Sequence, residues 1–314
     1  MNILVTGGAG FIGSHLCESL LKKGHHVLAI DNLSLGKYEN ISALVNAPNF
    51  KFVKIDILDE SSFTNIFKEH DIKTIFHLAA NSDIAQSHIN PSIDLYNTFL
   101  TTMAVLDNAR INNVCEIIFA STSAIYGETS DLITENYGPI NPISHYGAAK
   151  LASEAFLCSY AINYGINIWI ARFPNVIGEH ATHGVIYDFI NKLRNNSKEL
   201  KVLGNGEQNK PYIYVKELNE ALCFIWEHSK DRINIFNIGV NSQTKVKEIA
   251  EMVISEMGLN AKIKFTGGDR GWIGDVPEFR YDTTKINALG WQPKMTSNEA
   301  VKTAIKHIIS SSLR

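Results

Sequence analysis

The tightest constraint on this chain is its opening, Met1-Asn-Ile-Leu-Val-Thr-Gly-Gly-Ala-Gly-Phe-Ile-Gly13. A short apolar run, Ile3 to Val5, leads straight into glycines at 7, 10 and 13. Apolar residues then recur at helical spacing through Phe11, Ile12, Leu16, Leu20 and Leu21. The pattern predicts a strand, a tight turn and the start of a helix. Glycine in such a turn lets the backbone approach a pyrophosphate, and the helix N-terminus supplies N–H groups and the positive end of its dipole. A glycine triplet alone also fits an ordinary turn, so the case rests on the next strands.

The second short strand, Gly24-His-His-Val-Leu-Ala-Ile-Asp31, ends in an acid eighteen positions after Gly13. A carboxylate there can accept both hydroxyls of an adenosine ribose and would repel a 2′-phosphate, so Asp31 favours NAD over NADP. A third run, Phe52-Val-Lys-Ile-Asp56, ends the same way, and Asp56 is a candidate for the adenine amine. A fourth, Thr74-Ile-Phe-His-Leu-Ala-Ala80, ends in small residues that would let backbone pass close to a cofactor. The predicted cofactor set is Gly7, Gly10, Phe11, Ile12, Gly13, Asp31, Asn32, Asp56, Ile57, Leu78, Ala79 and Ala80, joined by Tyr146 and Lys150.

Strand-like runs at 2–6, 26–30, 51–55, 74–79, 115–120 and 166–172 alternate with helix-like ones, the rhythm of a doubly wound parallel sheet. Past residue 178 the rhythm changes. Val185 to Leu193, Lys245 to Met257 and Ser297 to Ile309 read as helices, and Tyr212 to Val215 as a short strand. The fold class is therefore α/β, a Rossmann-type parallel sheet with a smaller mixed α/β C-terminal lobe. Residues 1–180 are expected to bind the dinucleotide and carry the catalytic groups. Residues 181–314 are expected to bind substrate, with some segments returning to the first domain, and the ligand is expected in a cleft at the C-terminal ends of the strands.

Composition excludes several classes. A formal charge of −3 over 314 residues gives no basic footprint for nucleic acid or an anionic membrane. No apolar stretch approaches the roughly 18 residues of a membrane helix. The first strand begins at once, so no signal peptide is expected. Cys17, Cys115, Cys158 and Cys223 are scattered, without metal-ligand spacing. They read as reduced thiols of a cytoplasmic protein, and no metal is expected.

The second strong motif is Tyr146-Gly-Ala-Ala-Lys150, opening a helix-like run from Ala148 to Asn163. Positions four apart share a helix face. An ammonium beside a phenol stabilises the phenolate, and a positive nicotinamide would add to that. The pair can thus form a base able to take a proton from a sugar hydroxyl. A third element, Phe119-Ala-Ser-Thr-Ser-Ala-Ile-Tyr-Gly127, comes at the end of a strand-like run. One of its hydroxyls can align the reacting oxygen with Tyr146, though a Ser/Thr turn capping a helix also fits.

Together these motifs resemble the extended short-chain dehydrogenase/reductase family, in its branch of NAD-dependent nucleotide-sugar epimerases and dehydratases. The likeness runs nearly the whole length: TGGAGFIGSHL (6–16), DNLSLGKYENI (31–41), HLAA (77–80), STSAIYG (121–127), YGAAK (146–150), RFPNVIG (172–178), YIYV (212–215), FNIGV (236–240) and GDVPEFRYDTTK (274–285). The resemblance implies Tyr146 as base, Lys150 as its partner, and Thr122 as the catalytic hydroxyl with Ser123 as runner-up. It implies that Asn175 faces a substrate diphosphate, that Lys210 takes part in substrate binding, and that Arg270, ahead of Gly274-Asp275, reaches the diphosphate. It also implies a homodimer through helices at about 95–111 and 147–163, where Leu95, Phe99, Met103 and Leu106 recur.

The departures narrow the reaction. Family members share oxidation at C4 to a 4-keto sugar. Dehydratases resemble STDEVYG at the hydroxyl loop, and decarboxylases carry the Glu; this chain has Ser123 and Ala124. NADPH-preferring reductases are disfavoured by Asp31. C4 epimerisation and release of the ketone by a 4-dehydrogenase remain. A non-catalytic NAD sensor would often have lost Tyr146 or Lys150. Lys210-Pro211 stands where Arg-Asp is frequent. It points away from the UDP-galactose/UDP-glucose pair and towards a surface-polysaccharide precursor, UDP- or GDP-linked.

Overall fold

The computed structural model describes residues 1–271 and 276–311. Its main sheet has seven strands, labelled here in chain order: β1 (Asn2–Thr6), β2 (His26–Asp31), β3 (Phe50–Lys54), β4 (Thr74–His77), β5 (Glu116–Ala120), β6 (Asn167–Arg172) and β7 (Ile233–Asn237). Their spatial order is β7-β6-β5-β4-β1-β2-β3. β1 pairs in parallel with both β2 and β4, so the winding reverses between β1 and β4. The crevice outside that reversal, at the strands' carboxyl ends, is where open α/β sheets bind ligands.

The helices that cross between strands supply the second layer. α1 (Phe11–Lys22), α2 (Glu60–Glu69), α3 (Thr101–Ile111) and α4 (His145–Tyr164) each bury one face. Leu106 and Ala109 from α3 and Leu157 and Ala161 from α4 join Leu4, Ile75, Ile117 and Ile168 from the sheet in one apolar cluster. Strands buried on both faces read as near-continuous apolar runs, which is why β1, β4 and β5 are visible in the sequence.

The chain does not divide once near residue 180. One compact unit is Met1–Ile125, Ile140–Phe173 and Asn219–Phe236; the other is Tyr126–Pro139, Pro174–Leu218 and the chain from Asn237. Residues 219–236 belong with the first because Trp226 packs edge-on against Phe76 and donates from Nε1 to Glu116 at 2.8 Å. Residues 126–139 belong with the second because the Tyr126 hydroxyl donates to Asn237 Oδ1 at 2.7 Å and Leu132–Ile133 pairs in parallel with Arg280–Tyr281. In the second unit Asn175–Ile177 runs parallel to Tyr212–Tyr214, and Glu199–Val202 parallel to Lys262–Phe265.

Three element boundaries differ from the sequence reading for local reasons. β4 stops at His77, not at 79: the Leu78 N–H is shared between Thr6 O at 3.3 Å and Thr6 Oγ1 at 3.2 Å, and the Ala79 N–H turns to Thr6 Oγ1 at 3.1 Å. α4 begins earlier than Ala148: Ser144 caps it by accepting from Gly147 N at 3.1 Å, which puts Tyr146 in its first turn. It ends at Gly165, whose left-handed φ of 74° favours a residue without Cβ. The helix expected at 95–111 is split into a π-helical stretch, Leu95–Leu100, and α3. Among the described residues no helix is long and apolar enough to cross a membrane.

Candidate active site

The phosphate cradle is tested by asking where a Cβ would go. On Gly7, at φ 69°, it would lie 2.9 Å from Ala79 N, and on Gly13 it would collide with Gly7 O. These two glycines therefore let the β1 turn, the β4 end and α1 close on one another. Gly10 differs: a Cβ there would meet only the Gly7 carbonyl, at 3.1 Å at the nearest. Gly10 is the N-cap of α1, no side chain caps it, and the first turn carries no acid. A helix N-terminus so arranged suits an anion. Phe11 and Ile12 form that first turn.

Asp31 sits at the end of β2 and accepts from Leu33 N at 2.8 Å and Ala9 N at 3.1 Å. Burial pushes its carboxyl above the usual carboxylate range, and the N–H groups of Leu33, Ala9 and Gly10 pull it back. Gly36, absent from the sequence prediction, passes directly over it: a Cβ there would be 2.7 Å from the carboxylate. Asn32 donates to Asp56 at 3.0 Å, which brings two of the predicted cofactor residues together, and Ile57 beside them is buried. Leu78, Ala79 and Ala80 come directly after β4, next to Gly7. The uncapped helix end, the crowded glycines and the acid on β2 fit NAD.

The catalytic candidates converge on α4. Lys150 is 2% exposed; its Nζ donates to Ala120 O at 2.7 Å and lies 4.5 Å from the Phe119 ring centre and 5.9 Å from that of Tyr146. Burial drives its pKa down to about 7, against the pull of Glu154 and Asp94. Burial raises the Tyr146 phenol, Asp94 raises it further, and a hydrogen bond with the Thr122 hydroxyl lowers it. Of the two loop hydroxyls, that of Thr122 is the one that lowers the phenol in this way. Thr122 Oγ1 also accepts from Ala124 N at 3.1 Å, while Ser123 N donates to Phe173 O at 3.0 Å. Gly147 makes this approach possible: a Cβ there would lie 2.5 Å from Ala124 O.

Four groups around this core escaped the sequence reading. Glu154, one turn beyond Lys150, pairs with Arg172 at 2.6 Å, both side chains 5% exposed, and accepts from Ser121 Oγ. Its signal was a stripe, Tyr146, Lys150, Glu154, at every fourth residue. Asp94 is buried beside Asn81 and Thr98. The fourth is His77, under the cofactor turn, with ring nitrogens 2.8 Å from Thr6 Oγ1 and 3.1 Å from Thr102 Oγ1. Thr6 Oγ1 already accepts two N–H groups, so its hydrogen goes to Nδ1, and Nε2–H donates to Thr102, whose hydroxyl donates to Thr98 O at 2.9 Å.

Burial holds that imidazole neutral, its pKa pushed down to about 3, with the Lys150 charge adding. The unfolded chain takes up this proton first, near 6.5. The contribution of His77 to stability is therefore complete above that pH and lost as pH falls towards 3, at about 1.4 kcal/mol per pH unit. Urea melts between pH 6 and 4 should show a shallower pH slope in His77→Gln than in the parent by about that amount. Equal slopes would contradict the neutral assignment.

The predicted substrate residues lie in the second unit. Asn175 opens its strand opposite Tyr212, exposed, with Nδ2 3.5 Å from Pro211 O. Lys210 pairs with Thr244 in a two-residue antiparallel ladder. Arg270 Nη2 donates to both oxygens of Glu128, at 2.8 and 3.0 Å, so reaching a diphosphate would require exchanging that carboxylate for it. Gly274-Asp275 lies outside the described residues.

Comparison with known proteins gives the family. The model of the NAD dependent epimerase/dehydratase family matches residues 3–239. The chain belongs to that family. It is similar to the UDP-glucose 4-epimerase of Thermotoga maritima, solved with UDP-glucose: 32% identity, TM-score 0.90, both chains fully covered. It is similar to the UDP-glucuronic acid 4-epimerase of Bacillus cereus, solved with UDP-glucuronic acid and NAD: 29% identity, TM-score 0.89, covering 99% of this chain and 100% of that one. It is also 30% identical to the human dTDP-D-glucose 4,6-dehydratase, over 97% of this chain and 89% of the other. The family's cofactor is NAD, as the glycine turn and Asp31 imply.

Proposed function

We propose that this chain is a nucleotide-sugar 4-epimerase. The observation that carries the reading is the make-up of the hydroxyl loop. Thr122 meets the Tyr146 phenol, while the next two positions hold Ser123 and Ala124, with no carboxylate to eliminate water. NAD, when bound, supplies the acceptor for the C4 hydride and a positively charged ring. Thr122 hydrogen-bonds the C4 oxygen and aligns it with Tyr146. Tyr146 takes the C4 hydroxyl proton and later returns it, and the Lys150 charge favours the phenolate that holds it in between.

A UDP-linked sugar is the favoured substrate, since two solved relatives carry UDP-sugars. Asn175, Lys210 and Arg270 are the residues proposed to contact the diphosphate. A homodimer is proposed through the outer face of α4 and the 95–111 segment. There Leu95, Tyr96, Phe156 and Ile162 are exposed, and Phe99 and Phe156 stand edge to face at 5.4 Å.

The mass of the product tests the reading. The NAD-loaded protein is incubated with UDP- and GDP-linked hexoses and heptoses. An isomer of unchanged mass, resolved by NMR, is expected. A product lighter by two hydrogens, or its hydrate, would make the protein a 4-dehydrogenase, and loss of water would make it a dehydratase.

A further inference from the structure

The turn that opens α1 is held carbonyl by carbonyl. Ala9 O accepts from Lys37 N at 3.0 Å and Asn40 Nδ2 at 2.9 Å, and Phe11 O accepts from Ser14 Oγ at 3.2 Å. Ile12 O accepts from Asn219 Nδ2 at 3.3 Å, a bond across 207 positions within the first unit. Ser14 N donates to Gly10 O at 3.1 Å as the first bond of the helix, so the N–H groups of Phe11, Ile12 and Gly13 have no helical carbonyl to meet. The peptide whose oxygen Asn219 holds carries its N–H on Gly13, one of those three.

Asn219 is out of place by the pattern of its own helix. In the helix Val215–His228 the buried residues Val215, Leu218, Leu222 and Ile225 recur at intervals of three and four. Asn219, four after Val215 and three before Leu222, falls in that apolar stripe and is 0% exposed. Its Oδ1 is buried and accepts no hydrogen bond among the described residues. The amide cannot turn round to mend this, because Ile12 O can only accept and so needs the NH₂. A buried amide with its oxygen unmet costs stability, a cost that an apolar side chain of the stripe would not carry. Packing alone gives no reason for an amide at 219. The one bond it makes does, since that bond ends on the turn suited to an anion.

We infer that Asn219 is a positioning residue for the cofactor diphosphate, its amide pinning the Ile12–Gly13 peptide so that the open N–H groups of α1 are set before the anion arrives. Donors fixed in advance lose less freedom on binding. A hydrogen bond to the peptide oxygen also polarises the amide and strengthens its N–H as a donor. The effect belongs to the phosphate end alone. Asp31, the residue proposed for the adenosine ribose, is held by Leu33 N and Ala9 N and shares no bond with Asn219. The inference rests on NAD as the cofactor and not on the fate of the 4-keto sugar, so it and the epimerase reading can fail separately.

The test compares the affinities of the full chain, stripped of nucleotide, for NAD, ADP and adenosine by titration calorimetry. Asn219→Leu removes the donor and the unmet acceptor together. It should weaken NAD and ADP by about fivefold, the worth of one neutral hydrogen bond, and leave adenosine unchanged. A general loosening of the fold would weaken all three ligands alike, and a residue that only packs would change none of them; either result overturns the inference. Asn219→Ala guards against a poor fit of the larger Leu and should give the same split between phosphate-bearing ligands and adenosine. If neither variant folds, Asn219 serves the fold and not the phosphates, and the inference is overturned as well.

Discussion

Replacing Tyr146 with Phe is expected to lower turnover by about 10²- to 10⁴-fold, the range in which a positioned acid–base group contributes. NAD content should be unchanged. The reason is local. The ring keeps its place in the first turn of α4, so packing is preserved, while the single atom able to take the C4 proton is removed. The glycine turn and Asp31 are untouched. The same variant separates an enzyme from a redox sensor, because a sensor that only binds NAD should lose nothing. Wild-type turnover in Tyr146→Phe would remove the phenol from the mechanism and with it the reading of Lys150 as its partner.

The hydroxyl loop belongs to the same series. Thr122→Val removes the hydroxyl that bonds the phenol and should cost more turnover than Ser123→Ala, whose backbone N–H on Phe173 O is unaffected. Equal losses from both would mean that the substrate recruits Ser123. The sequence leaves these two neighbours open because loop length decides which of them faces the helix. The close approach of Ala124 O to Gly147, which brings the loop to the helix, is a tertiary contact that no spacing records.

The sheet and the cofactor end were legible for a related reason in reverse. Strands buried on both faces have to be apolar along their length, and a dinucleotide turn has to carry glycine where backbones meet. Chemistry thus writes β1, β2, β4 and the turn directly into residue type. What stayed hidden were polar groups whose partners are distant in the chain. Glu154 and Arg172 are eighteen residues apart, Thr6 and His77 seventy-one, and each looks ordinary until the strands align. The unit boundaries were hidden likewise. Residues 219–236 rejoin the first unit through Trp226 and its bond to Glu116, a contact across 110 positions. Arg270 looked available for a phosphate in the sequence and is held by Glu128 in the fold.

The buried Glu154–Arg172 pair should give a large stability effect. Arg172→Leu leaves the Glu154 carboxylate buried with only the Ser121 hydroxyl, and is expected to cost about 3–5 kcal/mol. Urea melts followed by tryptophan fluorescence check this, since one of the four tryptophans, Trp169, lies on β6 three residues before Arg172 and is itself buried. The Glu154→Leu/Arg172→Leu double variant should recover most of the loss, because an apolar pair of similar volume replaces two desolvated charges. If the losses of the two single variants simply added in the double, the pair would not be coupled, and Glu154 would be free to balance Lys150. The structural reason for the pair is its position: Arg172 ends β6, Ser121 comes just after β5, and Glu154 is one turn past Lys150. The pair therefore ties the carboxyl ends of two strands to the helix that carries Tyr146 and Lys150. A double variant that is stable but slow would show that the charges serve alignment more than stability.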